Sequence, residues 1–425
     1  MTDNTNQFTL IRAGMLVDGT GGPPVERATI LIEGDTIRAI GPESEVLAPE
    51  KAKVIEYDYR GKTVVPGLVD CHVHLIGIGD GRAGDDLTLL PDELLTLQAA
   101  RNAKTHLDSG VTTVRDCGAK NRTTLVLREA MNLGITTGPR LVLSGRPMAI
   151  VGGHLSYFGI QATGTDECRA AARQLIKEGV DFIKITATGG STKTSFPWRP
   201  SFNVEELRAI CDEAHSFGIH TAAHCVATQG IVNSLDAGVD TIIHAIFKDP
   251  DGRRVFQPEI AERIVKQDVY VNPTLMASEF GAGGHIDFLE QKKESGGLTP
   301  DEQASLDQMY RNRDERIDEY KAMRAVGITM VSGSDSAWSR YKMGDFQSEL
   351  EANVIAGMTT SEALVSGTLD AAKSSRVDEL VGSLEIGKKA DILVVDGNPL
   401  ADIKSLSNVV DVFLNGNLVD RKVSP

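Results

Sequence analysis

Val64-Val65-Pro66-Gly67-Leu68-Val69-Asp70-Cys71-His72-Val73-His74 is an apolar run that closes on two histidines at alternating positions. Successive side chains of a strand point to opposite faces, so His72 and His74 share a face and offer two imidazole nitrogens to one divalent cation. Two satisfied core histidines would alternate in the same way, so the reading depends on what other runs carry. Further apolar runs follow at Thr112 to Asp116, Arg140 to Ser144, Phe182 to Thr186, Ile219 to His224, Thr241 to Ala245, Val269 to Thr274 and Ile328 to Ser332. Helical periods separate many of them, at Asp92 to Ser109, Asp166 to Glu178, Val204 to Phe217, Gln229 to Ala237 and Glu259 to Lys266. Short apolar runs alternating with helical periods mark βα units around a parallel sheet. Eight runs over about 300 residues predict an α/β protein, a (β/α)8 TIM barrel with insertions.

A barrel of this kind carries its chemistry at the C-terminal ends of its strands. Lys184 lies in the fourth run, His224 closes the fifth, His244 closes the sixth and Asp335 follows the eighth. With His72 and His74 they place six potential ligands at one end, and the expectation becomes a metal site. Neutral imidazoles and carboxylates suit Zn²⁺, though Co²⁺, Mn²⁺ and Fe²⁺ accept the same donors. His220 shares a face with His224 but lies four residues earlier, roughly 13 Å toward the wrong end of the strand. It is expected to be structural, as are His106 and His215 in helical stretches and His285 in an inserted segment. Gly152-Gly153-His154 follows the third run, which places His154 in a loop above the barrel mouth.

Outside the runs the character changes. Strands are expected at Phe8 to Arg12, Ala28 to Glu33, Thr36 to Ile40 and Lys53 to Tyr57, and again at Ala390 to Val395 and Val409 to Leu414, with Asn415-Gly416-Asn417 as a hairpin turn. Neither set buries a core alone, so the two should pair into one small β-sandwich. The expected organisation is a first sandwich part over 1–65, the barrel over 66–375 and a second sandwich part over 376–425. The longest interruption, 275–326, is read as a lid or an oligomer contact built on the loop after the seventh strand.

The chain has 425 residues, with 44 basic against 59 acidic side chains and a formal charge of -15, which disfavours nucleic acid and anionic membrane as partners. No run of about 18 apolar residues occurs. The polar start Met1 to Gln7 lacks the features of a secretory signal, so a cytoplasmic location and a small-molecule substrate are expected. Five scattered cysteines with no Cys-x-x-Cys pair point to reduced thiols, and Cys71 and Cys225 should face the barrel helices rather than the metal.

The run through His74, the strand-end ligands, Gly333-Ser334-Asp335 and Gly387-Lys388-Lys389-Ala390-Asp391-Ile392-Leu393-Val394-Val395 together resemble the amidohydrolase superfamily of metal-dependent hydrolases. Asp181-Phe182-Ile183-Lys184-Ile185, Gly189-Gly190 and Gly152-Gly153-His154 resemble its branch of prolidases, lysine/arginine carboxypeptidases and imidazolonepropionase-related enzymes. The resemblance implies two divalent ions, usually zinc. His72, His74 and Asp335 would hold the more buried ion, His224 and His244 the second, and a carboxylated Lys184 would bridge them; an uncarboxylated Lys184 paired with Asp335 is the alternative. It further implies hydrolysis of an amide C–N bond by metal-activated hydroxide with Asp335 as proton shuttle, His154 on the substrate carbonyl, and a homo-oligomer. Tyr157 and Tyr270, with Arg340, Tyr341 and Lys342, stand near loop ends as candidate substrate contacts.

Two departures from the family pattern bear on the substrate. Leu155-Ser156-Tyr157-Phe158 replaces the Gly-Asp that often continues Gly-Gly-His, and Val226 stands where many members carry an aromatic. Both make the pocket more apolar, so dipeptides or N-acyl amino acids with apolar groups are expected. A non-peptide amide, carbamate or lactam of mycotoxin or xenobiotic type is the alternative, and a non-catalytic binding protein of the same fold is a third.

Overall fold

The computed structural model describes residues 7–50 and 52–421. The polar start Met1 to Asn6 and the last four residues of the second β segment lie outside the described residues. The N-terminal strands are β1 (Gln7–Leu16), β2 (Val25–Glu33), β3 (Thr36–Pro42) and β4 (Lys53–Pro66). The central strands are β5 (Leu68–Val73), β6 (Val111–Asp116), β7 (Arg140–Leu143), β8 (Phe182–Ile185), β9 (His220–His224), β10 (Thr241–Ile243) and β11 (Tyr270–Asn272). β12 (Ile392–Val395), β13 (Val409–Leu414) and β14 (Asn417–Leu418) close the chain.

The two terminal β segments form one seven-stranded sheet in the order β14-β13-β12-β4-β1-β2-β3. They join where β12 runs antiparallel to the end of β4, with Ile392 opposite Pro66 and Val395 opposite Thr63. In place of the two layers of the expected sandwich there is one continuous sheet, and Ile32 and Ile37 from one side of it share a buried cluster with Ile392 and Phe413 from the other. Asn415 and Gly416 take positive φ (49° and 75°) in the two-residue turn between β13 and β14, as the Asn-Gly signal requires.

The chain crosses from this sheet into the central α/β body at Gly67, where a Cβ would stand 2.2 Å from Thr112 Oγ1, so only glycine lets β5 approach β6. The central strands form two parallel sheets, β5-β6-β7 and β8-β9-β10-β11. Isolated parallel bridges link them at both edges: Met148 with Ile185 on one side, and Val271 with Met330 and Val73 with Ser336 on the other. The eighth apolar run contributes the Met330 bridge instead of a regular strand, and beyond it the Ser332 amide turns away to Ser366 O (2.9 Å).

Helices Asp92–Asp108, Thr165–Glu178, Val204–Ser216, Thr228–Ala237 and Pro258–Lys266 fall within a residue of the periods read from sequence. Val204–Ser216 starts at a capping box between Asn203 and Glu206, a motif worth about 1 kcal/mol. The 275–326 segment is not wholly an appendage. Helix His285–Gly296 packs with the first half of Pro300–Val326 through Ile286, Leu289 and Leu306. The second half of Pro300–Val326 buries Arg316, Glu319, Tyr320 and Met323, spaced i, i+3, i+4 and i+7, against the protein body. Among the described residues no helix is long and apolar enough to cross a membrane.

Candidate metal centre

His72 and His74, at the end of β5, meet Asp335 in the turn after Met330. His72 Nε2 lies 3.3 Å and His74 Nε2 3.4 Å from Asp335 Oδ1, and the two Nε2 atoms lie 3.4 Å apart. The backbone holds this triangle: the Asp335 amide donates to His72 O (2.7 Å), and the His74 amide to Ser336 O (2.6 Å). Gly333 permits the approach, since a Cβ there would sit 2.7 Å from His72 Cβ. Asp70 completes the join by accepting from the His72 and Ser334 amides, from Ser334 Oγ and from His106 Nε2. His106 is therefore structural, its Nδ1 accepting from the Gly344 amide.

The hydrogen bonds dictate which nitrogen of each imidazole is bare. His74 Nδ1 faces Gly118 O (2.7 Å), a pure acceptor, so it carries the proton. His72 Nδ1 faces Asn272 Oδ1 (3.1 Å), whose orientation is fixed because Asn272 Nδ2 donates to Val331 O and Gly333 O. Both Nε2 lone pairs therefore point at one another and at a carboxylate oxygen that is buried without a hydrogen-bond partner. Such a cluster repels itself unless a cation fills it. The centre of a triangle with these edges lies about 1.9 Å from each corner, close to Zn–N and Zn–O bond lengths of about 2.0–2.2 Å.

The other expected ligands face the same space. The His224 ring lies 4.6 Å from that of His244, and the His244 ring 5.7 Å from that of His72. His224 Nε2 donates to Gly189 O (3.0 Å), leaving Nδ1 bare. His244 Nδ1 donates to Thr274 Oγ1 (2.6 Å), whose own proton goes to Pro273 O (2.8 Å), leaving Nε2 bare. Burial holds His72, His224 and His244 well below the usual imidazole pKa, so all three remain neutral donors near pH 7. Lys184, on β8, is 1% exposed and its pKa is lowered, first by burial. Among the described residues its amine makes no hydrogen bond or ion pair, and the Asp335 carboxylate acts on it through charge alone.

The sequence pattern of the amidohydrolase family matches residues 63–419. The chain belongs to the amidohydrolase family. An ochratoxinase of Aspergillus niger is 27% identical over 445 residues, covering 97% of this chain and 86% of that protein. A Xaa-Pro dipeptidase crystallised with methionine in its active site superposes with a TM-score of 0.81 at 29% identity, over 97% of this chain and 99% of the dipeptidase. The crystal structure of the A. niger ochratoxinase gives a TM-score of 0.79 at 25% identity, over 98% and 96% of the two chains. This amidohydrolase is therefore a hydrolase of C–N bonds, in a family that uses divalent metals.

His154 stands against the second pair of histidines, its ring 4.5 Å from that of His224, with Nδ1 3.0 Å from Thr192 Oγ1. Gly190 makes room for it, since a Cβ there would lie 2.6 Å from the imidazole. Tyr157 is half-buried in the same loop, and Phe158 and Trp338 stack (6.1 Å, 22°) beside His74, whose ring is 4.8 Å from Trp338. Tyr270 is misplaced by the sequence reading. It begins β11, at the end opposite the metal triad, and packs against Val69, Cys71, Val331 and Ala371, whereas Asn272 two residues later reaches His72. Tyr341 spends its hydroxyl on Asp345 O (2.9 Å), and Arg340 lies over the Phe288 ring.

His220 stacks on Phe182 within the lower part of the fold, and His215 pairs with Asp240. All five cysteines are buried and free; Cys71 packs on Ala371 and Ala372, and Cys225 meets Ser234 Oγ on helix Thr228–Ala237. Burial pushes both thiols up to about 12, so neither supplies a thiolate near pH 7. The residues that sequence reasoning missed, Asn272, Thr274 and the carbonyls of Gly118 and Gly189, all act by fixing imidazole protons.

Proposed function

We propose that this protein is a binuclear metal hydrolase that cleaves the amide C–N bond of dipeptides or N-acyl amino acids bearing apolar groups, on a closed (β/α)8 barrel. The observation that carries it is the pair of bare His72 and His74 Nε2 atoms beside the buried, unpartnered Asp335 carboxylate oxygen, with the rings of His244 and His224, each keeping one bare nitrogen, next in line. His72, His74 and Asp335 would hold one ion, His224 and His244 the other, and Lys184, as a carbamate formed from its neutral amine and CO2 with loss of one proton, would bridge them. Bound there, two divalent ions, zinc being the expected metal, would acidify water and polarise the scissile carbonyl.

The protein's own groups do the rest. Asp335 accepts the proton of the attacking water and delivers it to the leaving amine. Thr192 Oγ1 accepts the Leu155 amide (3.0 Å), and we propose that its own hydroxyl proton goes to His154 Nδ1, 3.0 Å away. That leaves His154 Nε2–H to donate to the substrate carbonyl oxygen as charge builds there. Burial holds the His154 pKa at about 3, so the ring donates as a neutral group. His154→Ala should keep the metals and lower kcat by about a hundredfold or more. Gly190→Ala should reproduce much of that loss by displacing the ring, and unchanged kcat in both would remove His154 from the reaction.

The wall of Phe158, Trp338 and Tyr157 beside His74 favours a flat apolar substituent near the first ion. It also supports a second reading, a mycotoxin- or xenobiotic-type amide, in line with the named ochratoxinase relative. Hydrolysis of dipeptides, N-acyl amino acids and neutral aryl amides by Zn²⁺-loaded protein, prepared with bicarbonate, separates the two. Apolar and aromatic members of the amino acid sets should exceed basic ones in kcat/KM by at least about tenfold. Turnover of neutral amides alone would decide for the second reading.

A further inference from the structure

Two backbone segments set one ligand of the second pair: the turn after β10 that begins at His244, and the turn after β11 that holds Thr274, the acceptor for His244 Nδ1. Both are held in an unusual conformation. His244, Ala245 and Thr274 have φ of 66°, 49° and 48°, the left-handed region that residues with a Cβ avoid. A single buried side chain from outside the strands binds both. Arg316, in helix Pro300–Val326 and 0% exposed, donates through Nη2 to His244 O and Pro273 O (3.2 Å), and through Nη1 to Ala245 O (3.3 Å) and Glu319. Glu319 extends the hold, accepting from the Phe247 amide (3.0 Å) and from Arg254. On the other side of the second turn Glu349, in helix Phe346–Ile355 and also 0% exposed, accepts from the Leu275 (2.8 Å) and Met276 (2.7 Å) amides.

We infer that Arg316 and Glu349 are positioning residues for the second metal ion: together they clamp the two turns so that Thr274 fixes the His244 ring and its bare Nε2 stays aimed at the site. The inference rests on the two-ion reading above and assigns a purpose to the inserted segment, which reaches from the surface to a ligand's own carbonyl. Arg316 suits the task because its planar fork reaches three carbonyls and a carboxylate at once, which the single ammonium of a lysine does not reproduce. Neither residue touches a reacting atom. The residues that would hold the first ion, His72, His74 and Asp335, are set by contacts through Asp70 and Gly118 that the clamp does not touch, and share with it only Asn272, whose side chain meets His72 and whose carbonyl accepts the His244 amide (2.7 Å). Loss of the clamp should therefore empty one site and spare the other.

Metal content tests this. Wild type, Arg316→Met, Arg316→Lys, Glu349→Gln and a control on the exposed side of the same helix, Asp314→Ala, are loaded with Zn²⁺ and bicarbonate and dialysed against a weak chelator. Zinc per chain, thermal melting and the separate kcat and KM values are then measured. Wild type and Asp314→Ala should retain two ions. Arg316→Met should retain one, with second-ion affinity and kcat lowered by about 10–100-fold and KM little changed, and Arg316→Lys should recover only part of the loss. A folded Arg316→Met with two ions and unchanged kcat overturns the inference, and so does a folded variant that releases both ions together. Where Arg316→Met fails to fold, Arg316→Lys and Glu349→Gln decide: loss of one ion by either supports the clamp, and retention of two by both overturns it. A wild type that binds no zinc overturns the two-ion reading itself, an outcome distinct from failure of the clamp.

Discussion

Asp335→Asn is expected to lower kcat/KM by at least about a thousandfold while leaving the fold intact. General acid–base help alone is worth roughly a hundred- to ten-thousandfold, and the change also removes the one anionic oxygen among three donors 3.3–3.4 Å apart. The backbone argues that the loss will be chemical. Asp335 sits at φ 56°, and asparagine tolerates the left-handed region about as well as aspartate does, so the turn itself should not shift. With Nε2 of His72 and His74 fixed as bare nitrogens, an amide NH2 facing them would form a neutral hydrogen-bonded cluster that no longer calls for a cation. The variant should thus melt within a few degrees of the metal-free wild type, bind the first ion far more weakly, and fail to turn over even at saturating zinc. Activity within tenfold of wild type, with zinc bound, would exclude Asp335 as both ligand and proton carrier.

Much of the architecture and most of the site candidates were legible because each rests on a local pattern. Apolar runs show where strands lie, and a ligand at the end of a run needs no long-range information to be noticed: His74, His224 and His244 each close or directly follow the strand expected for them. The supporting shell was not legible. Gly118 and Gly189 act through backbone carbonyls that any residue possesses, and Asn272 and Thr274 do not titrate, so nothing in the sequence separates them from neighbouring polar residues. Tyr270 failed for a geometric reason. Its place beside a loop is visible, but which end of β11 it occupies depends on strand direction and register, and two residues of strand move a side chain by about 7 Å. The inserted segment was half read, because Arg316, Glu319, Tyr320 and Met323 form a buried stripe of mixed polarity that a purely hydrophobic pattern does not reveal. Likewise the terminal strands were visible singly, whereas the pairing of β4 with β12 is a contact across more than three hundred residues that only the folded chain displays.

Lys184→Met should separate what the lysine does for stability from what it does for chemistry, with opposite signs. In the metal-free protein an amine that is 1% exposed and has no hydrogen-bond partner among the described residues is a cost, since burying an uncompensated polar group disfavours folding by about 1–3 kcal/mol. Methionine keeps most of the side-chain volume and removes that group. Metal-free Lys184→Met should therefore melt at or above the metal-free wild type. With zinc and bicarbonate the order should reverse, because only the wild-type amine can take up CO2 to become an anionic bridge, and kcat should fall by at least about a thousandfold as the second ion is lost. Calorimetric melts of both proteins, with and without zinc, together with zinc per chain, read out all four corners of this cycle. The carbamate itself is visible as a ¹³C resonance in wild type charged with labelled bicarbonate and absent from the variant. Two retained ions and near-normal turnover in Lys184→Met would show that the histidines and Asp335 suffice. A metal-free variant less stable than wild type would mean that the buried amine is satisfied by water, and the carbamate would lose its physical motive. The contrast with the Arg316 clamp is diagnostic: both changes should cost the second ion, but only at Lys184 should the metal-free protein gain stability.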